Sequence, residues 1–197
     1  MKRIALLALA ACLGLGGAAA DDSEPPYDLE REEFKCESPP FLLERPSDSW
    51  VFLKLDVLQE RARAEGQDPS GFETLKAQLW WGAAKASIYV RAFPDGVHRR
   101  EPPTSDLFAD GQLEHLQRAL SEAELKKRGP AKVGKRLATI LEVEGKNAAG
   151  DPWLVQEAVV YRPEDLTVFV ISLEGPAGER TKDLRKQFKK LLKKVRL

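Results

Sequence analysis

The chain is poor in the residues from which most metal and catalytic sites are built. Two histidines, two cysteines and one methionine occur in 197 residues. Neither His98 nor His115 has a second His or Cys at ligand spacing, so no zinc motif is present. Gly-x-Ser-x-Gly, Walker and Gly-x-Gly-x-x-Gly patterns are also missing. These absences exclude the usual signatures of serine hydrolases, P-loop enzymes and dinucleotide-binding folds. No catalytic residue, cofactor or metal is therefore expected. An enzyme without a recognisable motif stays open as an alternative, because carboxylates on different elements can meet in space.

Long apolar runs are equally scarce. The one clear run, Ile4 to Leu15, is too short to span a bilayer and follows the positive pair Lys2-Arg3. Ala18-Ala19-Ala20 supplies small residues for cleavage before Asp21. Residues 1–20 therefore read as a signal peptide, and the mature protein is expected to be exported, periplasmic or extracellular. A second reading uses Leu9-Ala10-Ala11-Cys12 as a lipoprotein box, with Cys12 acylated and residues 13–33 as a tether. If Cys12 leaves with the signal, Cys36 has no partner for an intramolecular disulfide. It then reads as a small side chain packed on a strand, the alternatives being an intermolecular disulfide or a reactive thiol.

Charge of one sign is missing as well. Removing Lys2 and Arg3 from a balance of 31 bases and 31 acids leaves a mature charge of −2. The distribution says more. Ten acids fall within residues 21–50, and nine bases within residues 179–197. Hydrophobic content of 43% and charged content of 31% belong to soluble globular proteins. Residues 21–33, with Pro25-Pro26 and many acids, read as a mobile acidic leader, and residues 34–197 as one domain.

Short strands are expected at 33–38, 41–45 and 50–55, then a helix at 56–65 with Val57, Leu58 and Ala62 as a weak apolar face. Leu75, Ala77, Leu79 and Trp81 alternate, as do Ala86, Ile88, Val90 and Ala92. This spacing predicts a hairpin around Gly82 with one buried face per strand. Residues 106–128 have helical composition, with Ser105 as N-cap, a stripe of Leu113, Leu116 and Leu120, and Gly129-Pro130 as the stop. Three strands follow at 136–144, 153–161 and 166–173. The last two are joined by Arg162-Pro163-Glu164-Asp165 and are paired antiparallel. Residues 179–195 form an amphipathic helix, because Leu184, Phe188, Leu191, Leu192 and Val195 fall on one face.

Candidate contacts are few. His98, Arg99 and Arg100 lie together in VHRREPP, a solvated loop that is also a candidate anion or partner contact. Of Trp80-Trp81, Trp81 is in phase with the buried set, so Trp80 is the candidate surface contact. His115 reads as a helix-surface residue. The bases of the terminal helix read as a solvated face. Their sharper reading is attraction to anionic lipid, nucleic acid or an acidic protein, and export disfavours nucleic acid.

Two stretches resemble the PsbP-like family of exported α/β/α sandwich proteins. That family includes extrinsic subunits of photosystem II and many bacterial envelope proteins. The first stretch is PPFLLERPSDSW (39–50); the second runs from Trp153 through VFVISLEGPAGE to the terminal helix. Residues 56–130 depart most from the family pattern. The resemblance implies an α+β fold, a central antiparallel sheet with helices packed on its faces. It also implies binding or assembly more than catalysis, and carries over no functional residue. The expectation is an exported, non-catalytic binding or assembly module of the cell envelope, with an unknown protein or small ligand as partner and no nucleic acid. The alternative is a membrane-surface protein held through Cys12, or through weak contact of its basic helix with anionic lipid.

Overall fold

The strands richest in Val, Ile and aromatics occupy the middle of the sheet. They are β9 (Pro152–Arg162) and β10 (Thr167–Pro176), paired antiparallel along nearly their whole length. The computed structural model describes residues 26–66, 68, 72–94 and 105–197. Within these, β1 (Tyr27–Asp28), β4 (Val51–Leu53), β5 (Leu75–Trp81), β6 (Ala86–Phe93), β7 (Ser121–Val133) and β8 (Arg136–Lys146) complete an eight-stranded antiparallel sheet. Its order is β1-β4-β5-β6-β10-β9-β8-β7. The hairpin of β2 (Glu33–Glu37) and β3 (Pro40–Glu44) forms a separate two-stranded sheet.

Among the described residues three helices pack on the sheet: α1 (Leu55–Ala64), α2 (Ser105–Ala119) and α3 (Thr181–Lys194). Directly paired residues share a face, which sorts the core into two layers. Ile88, Val90, Ile171, Leu173 and Phe169 meet α3 and the β2–β3 hairpin in the largest cluster. On the other face Leu141, Val159 and Val170 meet α2, while Leu75 and Tyr89 meet α1. The α+β sandwich expected from sequence is therefore the architecture.

Helix α3 belongs to this core. Leu184, Phe188, Leu191, Leu192 and Val195 are all buried. The β7–β8 turn grips its end, where the Gly134 N–H donates to the Leu192 carbonyl at 2.7 Å. Only glycine suits that turn: φ is +54°, and a Cβ would stand 2.3 Å from the Val195 carbonyl oxygen.

Four expectations change. The helix over 106–128 ends at Ala119, and Ser121–Val133 is a strand. Glu124, Lys126, Lys127 and Arg128 look helical by composition, but pairing with β8 outweighs that weak preference. They lie on a sheet edge, where exposed charges discourage pairing with other chains. Pro130, expected as a stop, sits inside this edge strand, where its missing N–H costs no ladder bond to a further strand.

Second, a register shift between Leu75 and Ala77 sends Leu75 to the opposite face from Ala77, Leu79 and Trp81. Third, β6 is buried on both faces, since helices stand on both sides of it. Fourth, part of the leader expected to be mobile over 21–33 is ordered: Tyr27 and Asp28 pair with Leu53 and Phe52. The segment expected as the signal peptide, with Cys12, lies outside the described residues.

Candidate functional site

Helix α3 separates its side chains by chemistry. Lys182, Lys186, Lys189, Lys190 and Lys193 follow i, i+4, i+7, i+8, i+11, which places them on one stripe opposite the buried one. All five are exposed, and none has an ion pair among the described residues. Arg180, Arg185 and Lys194 are turned to fixed partners. Arg185 bridges to Glu142 and, at 2.9 Å, to Glu144. Lys194 donates to Glu44 at 2.8 Å and holds that carboxyl below its usual range. Arg180 stands over the Trp81 ring, 5.9 Å from its centroid. Asp183, exposed at the flank, is the acid nearest the stripe in sequence.

The opposite face of the sheet holds a buried polar row. Gln78, Tyr89, Ser172 and Glu157 are direct cross-strand neighbours from β5 to β9. Trp80, Ser87 and Glu174 form the next row, and Arg91 lies on the same face one step the other way. Ser172 donates to Glu157 Oε1 at 2.9 Å, while Glu157 Oε2 and Gln78 Oε1 have no protein partner. The Arg91 guanidinium stands 4.9 Å from the Tyr89 ring centroid.

Burial, reinforced by Glu174 and opposed by Ser172 and Arg91, pushes Glu157 up to about 7. Burial also raises Glu174 and Tyr89. His115 is half-buried instead of lying on the helix surface. Burial, then Arg91 and Arg118, lower its pKa. A carboxyl poised near neutrality beside a serine has the parts of a proton exchange. The Ser172 hydroxyl is fully buried, however, so no substrate atom reaches it in this conformation.

The sequence candidates fare unevenly. His98, Arg99 and Arg100 lie outside the described residues. Trp80 is half-buried between Val51 and Ser87 on the polar-row face, whereas Trp81 packs on the main core, its ring tilted at 56° to that of Trp50 with centroids 5.7 Å apart. Cys36 is a free, half-buried thiol on β2, 3.5 Å from the Ser38 carbonyl oxygen. Among the described residues no cluster of His, Cys, Asp and Glu is placed to hold a metal. Sequence reading did not find Glu157, Glu174 and Arg91. Their signal was a charge inside an otherwise apolar strand, as in WLVQEAVVY and SIYVRAF.

Comparison with solved structures defines the fold class. The chain is similar to the cyanobacterial PsbP of Synechocystis sp. PCC 6803, at 10% identity and a TM-score of 0.53, covering 93% of this chain and 98% of that one. A second similar structure, from Bacteroides thetaiotaomicron, has 10% identity and a TM-score of 0.51, covering 84% of this chain and 47% of that one. A third is the Ran-binding protein Mog1p of Saccharomyces cerevisiae, with 12% identity, a TM-score of 0.48, and coverage of 83% and 93%. No family model and no curated protein matches the chain. The protein is thus a PsbP-like α+β sandwich in fold, and at these identities the likeness extends to the fold alone.

Proposed function

We propose that the chain is an exported binding or assembly module of the cell envelope, without catalysis of its own, which docks on an anionic membrane surface through the lysine face of α3. One observation carries this reading. The apolar side chains, Arg180, Arg185 and Lys194 of that segment are spent on the fold, and five lysines are left pointing outward. Lysine is a hydrated point charge on a flexible stem, whereas arginine suits fixed, forked partners. An all-lysine array therefore fits a fluid, hydrated anionic surface better than a rigid protein epitope. Since Leu184, Phe188, Leu191 and Leu192 are buried, only charge is left for the attraction.

Each basic residue near such a surface contributes about 1 kcal/mol. Replacing Lys186, Lys189 and Lys190 by Glu should weaken vesicle binding at least about hundredfold. Thermal stability should stay nearly unchanged, because these side chains are exposed and hold no ion pair among the described residues. Retained vesicle binding would refute the lysine face. Loss of binding to an acidic envelope protein, with vesicles never bound, would move the partner from lipid to protein.

Export is the other half of the proposal, supported by Lys2-Arg3, the apolar run and Ala18-Ala19-Ala20. Intact mass of the protein recovered from the envelope should place its first residue at Asp21. A lipid-modified Cys12 as the first residue would make it a lipoprotein instead.

A further inference from the structure

At one end of the sheet the β2–β3 hairpin, the β9–β10 turn and the residues after α3 converge around an open cleft of about 560 Å³. The hairpin is tied to the segment after α3 by reciprocal backbone bonds between Leu42 and Arg196, at 2.9 and 3.0 Å. Cys36, Phe41, Leu42 and Leu197 give the cleft a mostly apolar lining. Phe41 is buried and set edge-on to Phe169, whose ring also carries the Arg162 guanidinium, so this wall is rigid.

The charged residues at the rim divide into two sets. Arg162 is held by Asp165 and by the Pro40 carbonyl, and Arg136 by both oxygens of Glu164 and by the Leu197 carbonyl. Both rim acids are thereby neutralised. Lys35 is exposed and has no ion pair among the described residues. Arg196 meets only Glu44, at 3.7 Å, an acid already held by Lys194 at 2.8 Å. The result is an apolar slot with two available bases at its mouth. Its volume lies within the common range for small-ligand sites, roughly 300–1,000 Å³.

We propose that this cleft binds an amphiphile with an anionic head. The acyl chain lies along Cys36, Phe41 and Leu42, and the head is held by Lys35 and Arg196. A cationic amphiphile is disfavoured by those bases. A short polar anion is disfavoured because it leaves the apolar lining wet. The site is separate from the lysine face of α3, so it stands or falls on its own.

Cys36 provides the readout. Its alkylation by iodoacetamide in the intact protein, followed at the Cys36 peptide by mass spectrometry, measures cover of the cleft. Dodecanoate, kept below its micelle concentration, should slow the reaction several-fold. Acetate and dodecyltrimethylammonium should leave it unchanged. Replacing both Lys35 and Arg196 by Glu should raise the dodecanoate concentration needed for protection about tenfold. Dodecyl phosphate in place of dodecanoate tells whether the head is read as a carboxylate or as any anion; protection by either upholds the proposal. Equal protection by the cationic amphiphile, or none by either anionic one, overturns it. If the double variant fails to fold, the comparison of amphiphiles on the native chain still decides.

Discussion

Replacing Phe188 by alanine should lower the unfolding free energy by about 3–5 kcal/mol. Phe188 is 2% exposed and packs in the same cluster as Leu184, Leu191, Leu192, Phe169 and Ile171. Removing its ring takes apolar area out of the core and leaves a cavity. That cavity cannot close easily, because the helix is held at its far end by the Gly134–Leu192 hydrogen bond and near its start by Arg185 on Glu142. Urea denaturation should show a lower midpoint with an unchanged slope. A loss below about 1 kcal/mol would mean that α3 is an appendage whose apolar face is free for other uses.

The second large effect concerns Glu157, which is 2% exposed. Its folded pKa stands at about 7 against an ordinary 4.5. Below the ordinary value the carboxyl is neutral in both states and has no effect on stability. Between the two values the unfolded chain ionises first, so stability falls as pH rises. Above about 7 both states are charged, and the full penalty of the buried charge, about 3 kcal/mol, is present.

Glu157→Gln keeps an acceptor for the Ser172 hydroxyl and never ionises. The variant should match the native protein near pH 4 and exceed it near pH 8 by up to about 3 kcal/mol. Glu174, raised in the same direction on the neighbouring strand, adds a slope of the same sign that remains in the variant. Arg91 opposes both shifts. Equal stability of the two proteins across that range would show that water or structural relaxation already solvates Glu157.

Much of the fold was legible because periodicity and burial agreed. The strands at 152–162 and 167–176 and the helix over 181–194 each have one dominant pattern, and tertiary packing only reinforced it. Residues 121–128 look helical from sequence for a physical reason. An edge strand exposed on both faces buries too little to show a period of two, so its Glu and Lys content looks helical. The shift at Leu75 is invisible for a related reason: a bulge alters facing without altering composition.

Of the candidate site, the lysine stripe could be read from spacing, but which bases were free could not. That depends on Glu142, Glu144 and Glu44, which arrive from strands far away in sequence. The polar row is assembled from β5, β6, β9 and β10, and only the register brings Gln78, Tyr89, Ser172 and Glu157 into line.

Helix α3 gives its apolar face to the fold, and its lysine face is the one proposed to meet an anionic surface. Co-sedimentation of residues 21–197 with vesicles across an ionic-strength series tests it most directly. Binding should occur on vesicles containing anionic lipid and be absent on neutral ones. It should also fall steeply as salt rises, because five exposed charges act through a screened field. Tight binding that survives high salt, or binding to neutral vesicles, would mean that the apolar face enters the bilayer, and would contradict the account.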